Sequence, residues 1–387
     1  MIKDNLKILL FSTKGAGTHY YGPGMSAYRM YKGYDSENIS LSLVHGFAHQ
    51  ENLPVFNEQF FISNLKSRSL FSGFIFSARL KKWISTNIKQ FDVVHCLGGY
   101  HASFIMAKLS EDRGVPAFIK ITESVNTGFN KSSTISNILG LRKYRLKYAN
   151  HISGYISISS RITKQLTMAG IDSSKIHEIP NGVDVNRFRP LSGQEKKSFR
   201  KKMGIDDIFT IIFTGGFSNR KHPYLIVKAF EKYYNTSQIQ LLLIGPDRDF
   251  GEERHRIQNI LSAKNVQNVK LLPFTNNIKE YYQISDIFVL PSSEEGLSNS
   301  MLEAQACGLP AVVTKISGSE DLIDEQFNGT FVTHDEKSII NGIDRYFNNP
   351  DTLTTHSLNA RIKIVQNYSA ESVFNKHIEL FSKAKNQ

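Results

Sequence analysis

The stretch that most limits what this chain can become is Pro291 to Thr314, PSSEEGLSNSMLEAQACGLPAVVT. The apolar run Ile287 to Leu290 ends at a Pro-Ser-Ser break, after which Ser298, Asn299 and Ser300 offer capping side chains and Met301 to Cys307 has helical composition, so a helix is expected to begin near Ser298. Gly308 is placed to close that helix, and Pro310 stops it before a second apolar run, Ala311 to Val313. Strand, helix and strand in so short a span describe one unit of a parallel α/β sheet.

The chemistry of the stretch follows from the start of that helix. Backbone NH groups around Gly296 to Asn299 have no partner inside the helix, and the helix dipole adds positive character, so a phosphate or diphosphate is favoured there. Glu295 sits just outside. A carboxylate is repelled by phosphate, so its expected task is to accept hydrogen bonds from neutral hydroxyls beside it. Glu303, about one and a half turns further in, is spaced to hold a second polyol of the same ligand. Two hydroxyl-binding carboxylates flanking a phosphate site describe a nucleotide sugar.

Glu295 and Glu303 form an E-x7-E motif inside the frame P-S-x-x-E-G…L-E-A-x-A-x-G-x-P. This resembles the retaining glycosyltransferases of family GT4, the glycosyltransferases group 1. The resemblance implies an α/β chain of the GT-B fold, two Rossmann-like doubly wound domains facing a central cleft. The string Ile179-Pro180-Asn181-Gly182-Val183-Asp184…Phe188-Arg189-Pro190 resembles the family's signature at the end of the first domain. Physically, Asn-Gly makes a tight turn and the prolines stiffen an interdomain crossover. The expected division is an acceptor-binding domain over 1–188, a nucleotide-sugar domain over 189–366, and a helix over 367–387 that crosses back to the first.

Further site residues follow from the same resemblance. After an opening strand, Leu6 to Ser12, comes a glycine-rich loop that contains Gly17; it is not a dinucleotide fingerprint, because Tyr20 stands three positions after Gly17. The family keeps such a loop near the donor phosphates. Thr214 to Pro223 carries Gly215, Gly216, Arg220 and Lys221 ahead of a helix, and cations there can reach the same diphosphate. Lys221 matches the family's lysine; Gly216 stands where an arginine is frequent, so Arg220 is expected to supply the second charge. The catalytic candidates are Lys221, Arg220 and Glu295. The donor-binding candidates are Gly17, Gly215, Gly216, Phe274 in the nucleobase loop, Glu295 for the transferred sugar, Gly296, Leu297, Ser298, Asn299, and Glu303 for the ribose. In the first domain Thr122 occupies the place of a frequent family histidine, which makes His101, Lys120, Thr122 and Glu123 the acceptor or cleft candidates.

The 387 residues suit two domains. The net charge of +12 is unevenly shared: residues 1 to 190 hold 24 Lys+Arg against 12 Asp+Glu, leaving 47−24=23 against 35−12=23 for the rest. A basic first half favours an anionic acceptor or an anionic membrane surface as partner. Nucleic acid is not expected, since no recognised nucleic-acid module is present. The stretch Glu58 to Gln90 reads as mostly helical, with Phe60, Phe61, Phe71 and Phe74 beside Lys66, Arg68, Arg79, Lys81 and Lys82. It either buries its apolar side on its own sheet or docks on anionic lipid. Lys131 to Ala149 reads as a second basic helix with a solvated face. No run is long enough to span a bilayer, and Lys7 to Phe11 is too short for a signal peptide, so a cytoplasmic chain is expected, with the inner membrane face as a docking surface. Cys96 and Cys307 fall in separate domains, which gives neither a disulfide framework nor a metal cluster.

The expected function is transfer of a sugar, with retention, from a nucleotide-diphosphate sugar to an acceptor hydroxyl on a glycan or lipid-linked glycan of a bacterial surface. The nucleotide sugar is a co-substrate; no cofactor or metal is expected, because the cations can neutralise the diphosphate. The alternatives are a GT-B sugar-nucleotide epimerase and a non-catalytic nucleotide-sugar-binding scaffold.

Overall fold

A computed structural model describes residues 5–17, 22–32, 38–64, 70–122, 147–247 and 251–386. The chain separates into two units, Met1–Gly182 joined by Ala370–Gln387, and Val183–Ser369. The crossings fall where the second unit ties its own two ends together: the Val183 amide donates to the Tyr368 carbonyl at 2.9 Å, and Val183 bridges Ser369. The first crossing therefore precedes Phe188, and the second follows residue 366.

In the first unit the elements run β1 Leu6–Ser12, α1 Gly22–Lys32, β2 Ile39–His45, β3 Glu58–Phe61, α2 Leu70–Asn87, β4 Val93–Leu97, α3 His101–Glu111, β5 Ala117–Ile121, β6 Gly154–Ser157, α4 Ser160–Met168 and β7 Ile176–Glu178. The strands form one parallel sheet in the order β3-β2-β1-β4-β5-β6-β7. Runs such as Val93-Val94-His95-Cys96-Leu97 are buried along their whole length. That is the pattern of a sheet covered on both faces. One covering element is the closing helix, Ala370–Lys385. Its Phe374 packs edge-on to Tyr31 of α1, and its Phe381 lies 5.4 Å from the rings of His95 and Phe118. Fully buried, Phe381 contributes about 1.5–3 kcal/mol.

One sequence expectation is corrected here. Glu58 to Phe61 is not helical: it is an edge strand in parallel register with Ser42 to His45, while among the described residues the expected helix is α2, Leu70–Asn87. The pairing partner β2 supplies hydrogen bonds that local propensity does not register, and Phe60 gains Trp83 of α2 at 5.1 Å. Of the expected basic helix over Lys131 to Ala149, all but the last three positions lie outside the described residues.

The second unit repeats the plan. Its elements are α5 Gly193–Lys202, β8 Phe209–Thr214, α6 Pro223–Phe230, β9 Ile239–Ile244, α7 Glu252–Ala263, β10 Val269–Leu272, α8 Ile278–Ile284, β11 Ile287–Leu290, α9 Asn299–Ala306, β12 Ala311–Thr314, α10 Ser319–Leu322, β13 Gly329–Val332, α11 Glu336–Phe347 and α12 Pro350–Asn367. The order β10-β9-β8-β11-β12-β13 is parallel throughout. The sheet first grows outward from β8 through β9 and β10, then restarts on its other side with β11. Ligands bind outside the strand ends at such a reversal. The loops after β8 and β11 emerge from neighbouring strands there, with Ile287 beside Ile211 and Phe288 beside Ile212.

Candidate active site

Those two loops bring the predicted charges together. The Lys221 ammonium donates to Glu295 Oε1 at 2.7 Å, Arg220 reaches the same oxygen at 3.0 Å, and the Ser292 hydroxyl donates to it at 3.0 Å. Arg220 also bonds the Glu294 carbonyl, while Ser293 N donates to the Arg220 carbonyl at 2.8 Å, so the loops are stitched by backbone as well as by charge. Gly215 makes the approach of Lys221 feasible: a Cβ there would lie 2.8 Å from Lys221 Cδ. Burial alone would raise the Glu295 carboxyl, but the adjacent Lys221 and Arg220 charges outweigh it and hold the group below the usual carboxylate range. The donors all converge on Oε1. Among the described residues this leaves Oε2 to accept from a ligand hydroxyl. The carboxylate can stand next to a phosphate because it arrives already neutralised, which sequence reasoning did not foresee.

The helix start behaves as its composition dictates. Ser298 is the N-cap of α9, accepts from Met301 N at 3.4 Å and contacts the Ser300 hydroxyl at 2.9 Å. Glu303, 7 % exposed, sits deep on the same helix, where the Tyr282 hydroxyl donates to it at 3.3 Å and meets the Thr214 hydroxyl in turn. Burial, and then the nearby Glu303 charge, push the Tyr282 phenol well above its ordinary range, so it remains a neutral donor. Thr214-Tyr282-Glu303 thus connects the end of β8 to α9. Leu297 is buried, whereas Gly296 and Asn299 are half-buried and Phe274, after β10, is exposed. Gly216 lies half-buried in the loop after β8.

Sequence reasoning missed Tyr282, Ser292 and the support given by Gly318. At φ +78° Gly318 presses on the Glu295 loop: a Cβ there would fall 2.4 Å from the Gly296 oxygen and 2.8 Å from Leu297 Cα. Ser317 Oγ adds a 3.4 Å bond to the Gly296 oxygen. The Thr214-to-Tyr282 distance in sequence left no local signal for the tyrosine. The chain also holds one Asp-x-Asp triplet, Asp247-Arg248-Asp249. Asp247 is paired with Arg254, and Asp249 lies outside the described residues.

The remaining candidates belong to the first unit. Gly17 is buried in the loop after β1, which is pinned where Gln50 exchanges hydrogen bonds of 2.9 and 2.8 Å with Ala16. His101 opens α3 half-buried, and Thr122 follows β5 half-buried. Lys120 is not presented to solvent: it is 3 % exposed, burial pushes its ammonium down to about 8, and it adds to the burial that already holds His95 and His377 low. Glu123 lies outside the described residues.

Two doubly wound parallel units, the second with a cation-bound glutamate and a capped helix at its strand reversal, define a GT-B glycosyltransferase. A sequence model for glycosyl transferases group 1 matches residues 195–363, and one for Glycosyltransferase Family 4 matches residues 22–187. The chain belongs to this GT4-type glycosyltransferase family. It is 30% identical over 205 residues to the UDP-Gal:alpha-D-GlcNAc-diphosphoundecaprenol alpha-1,3-galactosyltransferase of Escherichia coli, an alignment spanning 51% of this chain and about half, 52%, of that enzyme. It is 24% identical to the alpha-monoglucosyldiacylglycerol synthase of Acholeplasma laidlawii over 76% of each chain. Among solved structures, HepE of Anabaena in complex with UDP superposes with a TM-score of 0.80 at 19% identity, covering 98% of this chain and 100% of HepE. At that identity the likeness establishes the fold alone.

Proposed function

We propose that this chain is a retaining, metal-independent glycosyltransferase that moves a sugar from a nucleotide-diphosphate sugar to an acceptor hydroxyl. The observation that carries the reading is the Arg220–Glu295–Lys221 cluster beside the α9 N-terminus, at the strand reversal of the second unit. As the bond between the sugar's anomeric carbon and the diphosphate breaks, negative charge grows on the leaving oxygen. Fixed cations and amide donors stabilise that charge more than they stabilise the ground state. Lys221, Arg220 and the amides ahead of α9 supply them without a metal. Glu295 Oε2 accepts from the transferred sugar, and Glu303 from the ribose. Glu295 is a poor nucleophile while two cations hold it. The reading is therefore front-face attack: the acceptor oxygen bonds to the anomeric carbon, and its proton passes to the departing phosphate oxygen.

The acceptor is taken to be a lipid-linked or surface glycan. Support comes from the names of the Escherichia coli and Acholeplasma relatives and from the basic first half of the chain. The same features make an anionic membrane a candidate partner. Phe71 and Phe74, 76 % and 75 % exposed on the first turns of α2, share that helix with exposed Arg79, Lys81 and Lys82. None of the described helices is long and apolar enough to cross a membrane.

Thermal-shift screening of UDP-, GDP- and ADP-sugars identifies the donor, and NMR of the product gives its anomeric configuration. The expected result is retention that persists in EDTA. Inversion, or loss of turnover in EDTA, overturns the mechanism, and conversion of the nucleotide sugar without acceptor identifies an epimerase instead. Co-sedimentation with phosphatidylglycerol vesicles is expected to fall several-fold in the Phe71→Ser, Phe74→Ser double variant; equal binding removes the membrane as partner.

A further inference from the structure

Beside Lys221 the backbone does something costly. His222 adopts φ 50°, ψ 44°, a left-handed conformation that crowds any Cβ. Among the described residues two other non-glycine side chains have positive φ, Asn265 and Gln326, and both are exposed. His222 is half-buried, and it caps α6 without a side-chain cap hydrogen bond. Backbone strain kept at such a point marks a functional constraint. A glycine here would satisfy the turn at no cost, so the imidazole itself needs a reason.

The ring has a partner. It lies edge-on to His334, centroids 5.0 Å apart, where the loop between β13 and α11 reaches across. Lys221 precedes it in the chain. From α7 it is faced by buried Glu253, which is itself bonded to Arg256 at 3.0 Å. Burial and then His334 lower the His222 imidazole, with Glu253 opposing them, so near pH 7 the ring is neutral. A nucleotide diphosphate seated on Lys221 brings negative charge within one residue of this pair, and opposite charge favours the protonated ring.

We propose that His222 is a positioning residue for the donor diphosphate: its left-handed turn aims Lys221 at Glu295, and its ring, braced by His334, takes up a proton as the nucleotide binds. This rests on the donor-site reading above. The consequence is that donor affinity rises as pH falls below neutrality, and that the rise belongs to the histidine pair.

Nucleotide sugars suit the test, because their diphosphates have no group that titrates near neutrality. Calorimetric titration with UDP-glucose, GDP-mannose and ADP-glucose from pH 5.5 to 7.5 is expected to show at least one donor binding about fivefold or more tightly at the acid end, with proton uptake. His222→Gly is expected to melt higher than wild type, since glycine enters this conformation freely, and His222→Ala lower. Despite its stability, His222→Gly is expected to lose the pH dependence and raise KM for the donor more than it lowers kcat, and His334→Asn is expected to do the same. If His222→Gly binds with wild-type affinity and wild-type pH dependence, the ring has no role and the inference is overturned. If no nucleotide sugar binds the wild-type chain, or if Lys221→Met turns over as fast as wild type, the donor-site reading itself fails.

Discussion

Lys221→Met tests the centre of the site. Methionine preserves a flexible stem over Gly215 and removes only the charge. Glu295 Oε1 then keeps Arg220 at 3.0 Å and Ser292 at 3.0 Å. The Lys221 and Glu295 side chains are each 13% exposed. Their pair therefore stands between an exposed pair, worth about 0–1 kcal/mol, and a fully buried one, whose breaking costs about 3–5 kcal/mol. With Arg220 retained, the expected stability loss is about 1–2 kcal/mol, which leaves a typical domain folded. Loss of a cation preorganised for the leaving group costs more, about 10²–10³ in kcat or roughly 3–4 kcal/mol. Acid sensitivity should move as well. The folded-state pKa of Glu295 is depressed, so its contribution is present above the unfolded value near 4.3 and is lost as pH falls through the folded one. In the variant, burial persists while part of the attraction is gone, so that loss starts at higher pH. Urea unfolding and steady-state kinetics on the same preparation separate the two effects. A variant that turns over within threefold of wild type, or loses activity only in proportion to unfolded protein, refutes the assignment of Lys221 to the leaving diphosphate.

Tyr282→Phe removes the hydroxyl between Thr214 and Glu303 and leaves two buried partners short of a bond; urea midpoints are expected to report about 1–3 kcal/mol of lost stability, with a raised donor KM. Gly318→Ala forces alanine to φ +78° against the Gly296 oxygen, a strain of about 1–2 kcal/mol before any clash, and calorimetry is expected to show weakened nucleotide binding as Gly296 and Leu297 shift. Burial holds His95 and His377 of the first unit below the ordinary histidine range, His377 down to about 3. The unfolded chain therefore binds protons below about pH 6.5 that the folded chain refuses, and stability falls by about 1.4 kcal/mol per pH unit for each histidine. His377→Phe is expected to flatten that slope in urea titrations between pH 6.5 and 4.

What the sequence settled by itself is what neighbours along the chain dictate. Proline and glycine punctuation, serine caps and largely apolar runs marked β1 and β11 at their observed limits and the start of α9 near Ser298. Tertiary structure decided whatever depends on residues distant in sequence. β3 exists because β2 lies beside it, so its Glu-Gln-Phe-Phe carried no strand signal strong enough to be read alone. Lys120 read as an acceptor or cleft candidate, yet the closing helix covers that face and buries it with His95 and His377. Lys221 and Glu295, 74 residues apart, meet only because β11 pairs with β8. Local composition fixes which backbone hydrogen bonds are cheap to form; only the order of strands in the sheet fixes which charges must share a site, and that order is written nowhere in a single segment.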